Sequence, residues 1–199
     1  DTVGLHTVGF TGAPGQVHVV AGTPPTVFAG IGDGRLDLSS ARDLGAAIVQ
    51  AVPAAATFAI EVGDVAAEVA QGLVEGAILA RYSWNALRAE PSSIQLEAIT
   101  LVSASDAVAA GARRGHLKAL ATAVARDLSN TPPAHLTAVR WGDMAERLAP
   151  GFGLDVEVHD RDWLLAERCG GIIAVNGGSD EEPRLITLTY TPDQGVANG

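Results

Sequence analysis

The 199 residues read as an α/β protein: a three-layer sandwich, then a long linker helix, then the first β-α-β-β elements of a second α/β domain. Three observations carry that reading. Short apolar runs bounded by Gly, Pro, Asn and Asp alternate with stretches whose apolar residues recur three or four apart, the mark of βαβ units. A helical pattern from about Ser105 to Leu128, roughly two dozen residues or about 36 Å at 1.5 Å per residue, runs into Asn130-Thr131-Pro132-Pro133. Beyond that point strand and helix patterns start again. The expected divisions are 1–104 for the first domain, 105–136 for the linker helix and hinge, and 137–199 for the opening of the second domain.

Val17–Val20 and Thr26–Gly30 are short apolar runs joined by Ala21-Gly22-Thr23-Pro24-Pro25, a turn composition, and predict a β-hairpin. Gly30-Ile31-Gly32-Asp33-Gly34-Arg35 follows directly. Glycines after a strand could let backbone amides approach a phosphate, but the spacing is not GxGxxG. The next helix is expected only from Ser39 or Ser40, so a connecting loop is the reading. That helix carries Leu44, Ile48 and Val52 on its stripe and closes at Pro53. Thr57–Val62, nearly all apolar, is expected to be a strand covered on both faces. Asp64 is the expected cap of the next helix, with Val65, Val69 and Leu73 as its stripe and Gly72 and Gly76 leaving room for close packing. Tyr82-Ser83-Trp84 and Pro91-Ser92-Ser93 bound an irregular loop, and Ile94–Val102 reads as a strand.

The long helix shows apolar residues at Val108, Ala112, Leu117, Leu120, Ala121, Val124 and Leu128, expected to form its packed face. Its end is set by Ser129 and Asn130, which compete for backbone hydrogen bonds, and by Pro132 and Pro133, which lack amide hydrogens. Thr137 has the chemistry of an N-cap for a helix over Ala138–Leu148, ended by Pro150-Gly151. Leu154, Val156 and Val158 alternate with polar residues as a strand, and Asp160 starts a short helix. Ile172–Val175 is expected to be a buried strand, and Ile186, Leu188 and Tyr190 mark another.

The run "ARDLSNTPP", followed by "HLT", a helix, "GLDVEVHD", "GGIIAVNGGS" and "EEPRLITLTY", resembles the domain junction of the leucyl aminopeptidase (cytosol aminopeptidase) family. The likeness is densest over Arg126–Tyr190 and is an ordered series of blocks; from Val8 to Asp106 it rests on the order of elements. The resemblance implies a non-catalytic N-terminal domain with a macro-like fold, joined by a helix to a metallopeptidase domain. In that family further strands precede the segment matching Val8, so the sheet is expected to be incomplete at its front or to have its first strands supplied differently. The resemblance also implies peptide substrates, a hexameric homo-oligomer and two divalent metals (Zn, Mn or Mg). Those metals are held by a lysine, three aspartates and a glutamate in motifs of the types "VGKGxTFDSGG" and "NTDAEGR". Neither motif occurs here, so no catalytic, cofactor-binding or metal-ligating residue is carried over, and a C-terminal catalytic polypeptide is the expected partner. The alternative is a macro-like module that binds a nucleotide or phosphate through Gly30–Arg35.

The residues themselves are poor in chemistry. His159-Asp160-Arg161-Asp162 gathers metal-capable groups, yet zinc needs ligands converging from several segments, and capping accounts for an aspartate at a helix start. His6, His18, His116, His135 and His159 show no H-E-x-x-H spacing. No G-x-S-x-G elbow is present, and Gly177-Gly178-Ser179-Asp180 reads as a turn. Cys169, the only cysteine, has no adjacent base, reads as a packing residue, and excludes an intrachain disulfide. That fits a reducing cytosol, the expected location. A formal net charge of −10 argues against general affinity for nucleic acid or an anionic membrane. The local basic cluster Arg113, Arg114, His116 and Lys118 reads as a solvated helix face. No apolar run approaches the roughly 20 residues of a membrane span. Asp1-Thr2-Val3-Gly4 lacks leader features, so the chain is expected to begin inside a longer polypeptide.

Overall fold

A computed structural model describes residues 3–90 and 94–191. Pro91-Ser92-Ser93 and nearly all of the tail after Tyr190 lie outside the described residues. The architecture is α/β, in two compact units, Asp1–Asp127 and Leu128–Gly199.

The first unit opens with α1 (Val3–Thr7) and an antiparallel hairpin of β1 (Val17–Val20) and β2 (Thr26–Ala29), with Val17 opposite Ala29. It continues through α2 (Leu38–Ala51), β3 (Thr57–Glu61), α3 (Ala67–Ala80) and β4 (Ala98–Val102), then enters α4 (Asp106–Asn130). β3 and β4 pair in parallel, Thr57 opposite Ala98, so β3-α3-β4 is the βαβ unit the alternating patterns predict. Ala41, Leu44, Ile48, Val69 and Leu73 form the core between α2 and α3, with Val27, Phe58 and Ile60 packed beneath.

α3 is the centre of this unit, since its residues from Val69 to Ala77 are all buried. Glycines explain how helices fit on both its sides. A methyl group at Gly76 would overlap the Arg42 carbonyl of α2, and one at Gly45 would overlap the Leu73 carbonyl. On the other side, side chains at Gly111 and Gly115 of α4 would meet the carbonyls of Ala67 and Gln71. Side chains are absent at the crossings, so backbones touch. Two polar groups go into this packing together. Glu75, 4% exposed, accepts from Arg42 Nε at 2.5 Å and from Gln71 Nε2 at 2.7 Å, so neither carboxylate oxygen is left bare.

Arg81 closes the far end of the layer. Its guanidinium donates to the carbonyls of Val49 (3.0 Å), Val52 (3.4 Å), Pro53 (2.8 Å), Ala55 (3.2 Å) and Ile94 (2.8 Å). The last turn of a helix leaves carbonyls without partners, and here a planar cation from the neighbouring helix supplies them. The end of α2, the turn into β3 and the approach to β4 are thereby held by one side chain.

Several expectations fail locally. The cap of α2 is Asp37, whose carboxylate accepts from Ser40 N at 2.8 Å while Ser40 Oγ accepts from Asp37 N at 2.9 Å; Ser39 and Ser40 lie inside the helix. Asp64 does not cap α3, which starts after Ala66 with no side-chain cap. β3 is not covered on both faces, because Thr57, Ala59 and Glu61 are exposed while Phe58 and Ile60 are half-buried. β4 begins at Ala98, where backbone pairing with β3 starts, and Ile94 to Glu97 precede it as irregular chain. The packed face of α4 is the small stripe Val108, Gly111, Gly115 and Ala119, not the large one: Leu117, Leu120 and Val124 are exposed.

The second unit holds α5 (Ala138–Leu148), β5 (Leu154–His159), α6 (Arg161–Ala166), α7 (Gly170–Asn176) and β6 (Leu185–Tyr190). Thr137 caps α5 by accepting from Arg140 N at 3.3 Å, at the residue predicted. The α-helix ends at Leu148 as expected; a 3-10 turn over Ala149–Phe152 follows, and Gly153 at φ 67° redirects the chain into β5. β5 and β6 pair antiparallel, Leu154 opposite Tyr190. Gly142 and Ala145 of α5 are buried, and Gly142 faces Val158 of β5. Leu164 is fully buried.

The strand expected at Ile172–Val175 is a helix, so this unit runs β-α-α-β rather than β-α-β-β. Arg168 turns the chain with a left-handed φ of 58°, and the amides of Ile172 and Ile173 then bond to the Cys169 carbonyl, which starts α7. None of its residues is buried, and Val175 is 90% exposed. Four apolar residues in a row are too few to separate strand from helix by periodicity.

Candidate functional site

The candidate groups of the sequence do not come together. Asp160 is consumed as the N-cap of α6, accepting from Trp163 N at 3.0 Å. His159, at the end of β5, stacks on Trp163 with ring centroids 3.8 Å apart and an interplanar angle of 17°. Its Nε2 lies 3.4 Å from Glu157 Oε2, too long for a strong charged hydrogen bond. Among the described residues no group of three or more His, Cys, Asp or Glu side chains converges as a metal would require. The side chain of His6 lies outside the described residues.

In the Gly30–Arg35 loop four of the six amides have acceptors. Gly30 N donates to Gln16 O (2.7 Å), Gly32 N to Gly12 O (2.8 Å), Gly34 N to Ile31 O (3.1 Å) and Arg35 N to Asp33 Oδ1 (3.1 Å). A phosphate on this loop would have to compete with those bonds. Cys169 is the half-buried residue before α7, with its thiol 4.0 Å from the Glu167 carbonyl. Ser179 sits in the turn predicted at 177–180, its amide on Asn176 O and its hydroxyl accepting from Glu181 N.

What the structure does assemble in the first unit is a groove of about 800 Å³ between α3, β4 and α4. Val74 and Ile78 line one wall, Ile99 and Leu101 the floor, and Leu117 and Leu120 the other wall. Arg113 and His116, half of the basic cluster, stand on its edge. At the groove's end the "ARD" run of the hinge acquires a role that spacing did not suggest. Tyr82 Oη donates to Asp127 Oδ1 at 2.7 Å, the Arg126 guanidinium lies 5.4 Å from the Tyr82 ring centroid, and Arg126 Nη1 reaches the Leu79 carbonyl at 3.4 Å. These contacts tie the last turns of α4 to the last turn of α3. The signal was the polar pair Arg126-Asp127 late in a helix, with Tyr82 just after another.

Comparison with known proteins bears on the same residues. Residues 3–91 match the N-terminal domain of the cytosol aminopeptidase family, and residues 123–198 match that family's catalytic domain. A probable cytosol aminopeptidase of Mycobacterium marinum is 32% identical over 197 residues, and one of Mycobacterium tuberculosis 34% over 202. Each alignment takes in 94% of this chain, which spans only 38% of the relative's length. A solved structure of the bottromycin maturation enzyme BotP in complex with Mn has TM-score 0.83 and 31% identity, over 95% of this chain and 42% of that one. A mutant tomato leucine aminopeptidase, 18% identical, shares the fold at TM-score 0.81. With both domain descriptions met in order along one polypeptide, the chain belongs to the cytosol aminopeptidase family.

Proposed function

We propose that these residues are the N-terminal portion of a leucyl aminopeptidase that removes N-terminal amino acids from peptides, and that this portion is scaffold. The observation that carries the reading is the order of the family matches, N-terminal domain over 3–91 and then catalytic domain from 123, in a chain spanning 38% of its relatives. In this reading 1–104 is a non-catalytic domain of macro-like, three-layer type, 105–136 the linker helix and hinge, and 137–199 the start of the metallopeptidase domain. The parallel β3-α3-β4 unit and the 25-residue α4 support that division.

An enzyme of this family type would use two divalent ions, zinc, manganese or magnesium, which polarise the peptide carbonyl and activate the attacking water. The side chains present do not fit such a centre: His159 is stacked, Asp160 is spent as a cap, and no third donor joins them among the described residues. In this reading the metals are held by the part of the relatives' length that this chain does not span, and no catalytic step is assigned to these residues. The complete enzyme is read as cytoplasmic and hexameric. Leu165, Val175, Leu188 and Tyr190 of the second unit are exposed, and apolar surface of that kind favours association with the rest of the catalytic domain.

Leucine amide hydrolysis tests this. The isolated 199 residues are expected to release no leucine with Mn²⁺, Zn²⁺ or Mg²⁺, while the longer polypeptide does. Turnover by the isolated chain, free of any companion, would overturn the scaffold reading.

A further inference from the structure

β4 is paired on one side only: it bonds to β3, and no further strand joins that sheet among the described residues. The bonds at its two ends show which groups the pairing uses. Ala98 N donates to Ala56 O and Val62 N to Val102 O, both at 3.4 Å. Main-chain groups along a strand turn to opposite edges at successive residues, so Ala98, Thr100 and Val102 bond towards β3. Ile99 and Leu101 turn their amides and carbonyls to the outer edge, where no described residue bonds to them. Such an edge is a template for one more strand.

That edge opens into the groove of about 800 Å³. Side chains of an extended chain alternate between faces, so the five successive residues Gln95 to Ile99 line one groove only because it runs along their edge. Above it Leu117 and Leu120 of α4 are 66% and 45% exposed. The ends of the groove differ in charge. The bonds of Tyr82 to Asp127 and of Arg81 to Ile94 set the end of α4 beside the approach to β4, so α4 runs back along the strand. Arg113, seven positions or about 10 Å into α4, therefore stands with His116 beside the later part of β4. Neither has an ion-pair partner among the described residues. Glu97 lies at the earlier end.

We propose that the groove takes a short extended peptide as a third strand beside β4 and parallel to it, its C-terminal carboxylate on Arg113 and His116 and its amino end towards Glu97. From Glu97 to Leu101 is about 13 Å, the reach of four or five extended residues. Bonds to the main chain of Ile99 and Leu101 hold any sequence, while alternate apolar side chains filling the space between α3 and α4 select among sequences. The arginine adds a charged bond to the carboxylate. A peptide with both termini free carries no net charge, whereas a second copy of this chain, at −10, approaches against repulsion. The proposal stands apart from the aminopeptidase reading, because binding is measured without turnover.

The test is titration calorimetry of the 199-residue chain with the peptide Thr-Val-Thr-Val-Leu, both termini free. One peptide is expected to bind per chain. Its C-terminal amide is expected to bind at least tenfold more weakly. Arg113→Ala, with an unchanged far-UV circular dichroism spectrum, is expected to weaken the free acid at least tenfold and the amide hardly at all. N-methylation of one alternate set of peptide amides is expected to abolish binding, and methylation of the other set to leave it, because only one set faces β4. No binding, equal loss from both methylated sets, or equal loss of acid and amide on Arg113→Ala overturns the proposal. So does an affinity that falls as the chain is concentrated, the sign of a second copy on the edge.

Discussion

At Arg81 one side chain answers five carbonyl groups from three segments, and the arrangement uses the breadth of the guanidinium rather than its charge alone. Arg81→Ala is expected to lower stability by about 2–3 kcal/mol, a size typical of losing charged hydrogen bonds. Arg81→Lys should recover less than half of that, because one ammonium cannot span the same acceptors. Urea denaturation with both variants measures it. Asp37 gives a pH-dependent counterpart. Bonds from the Ser40 amide and hydroxyl to its carboxylate hold its pKa below the ordinary 3.8. A depressed carboxylate contributes stability that is present above its unfolded pKa and is lost as pH falls through the folded one. Asp37→Asn keeps a capping oxygen without the charge. The melting temperature of the wild type should therefore fall towards that of Asp37→Asn, or below it, as pH drops below about 4, with the difference largest near neutrality.

Helices succeed or fail here by what happens at their crossings. Gly76→Ala, in the buried contact of α3 with α2, is expected to destabilise by about 1–3 kcal/mol, since backbone must move to admit the methyl. Gly170→Ala, at the start of exposed α7 with nothing within 4 Å, should be neutral or stabilising by up to about 1 kcal/mol. Thermal melts of the pair separate crowding from helix propensity. The same crossings explain what could be read from residue order. The caps at Thr137 and Asp160 and the start of α4 were legible because local chemistry decides them. The packed face of α4 was not. Counting large apolar residues selects Leu117, Leu120 and Val124, whereas the contact with α3 selects the absence of a side chain at Gly111 and Gly115. The helix at Gly170–Asn176 was missed for a related reason: its start depends on the Arg168 turn, which no periodicity encodes.

For the molecule as a whole, the family and the α/β class were legible, and the packing of the elements was less so. "ARDLSNTPP" and the blocks after it name a lineage, and the family matches bear that out over 3–91 and 123–198. What those motif residues do locally needed coordinates: Arg126 and Asp127 are bound to the end of α3, with Tyr82 as their counterpart. The candidate groups that looked chemical on paper, His159 and Asp160 above all, are occupied with stacking and capping.

The burial of the middle of α3 also has a consequence for how the chain is made. Val69–Ala77 is buried, and part of that cover is provided by α4, which ends fifty positions after Ala80, at Asn130. At about 5–20 residues per second, a ribosome takes on the order of 3–10 s to cross that interval. For those seconds the newborn segment stands half undressed, a natural client for whatever holds nascent chains near the exit tunnel.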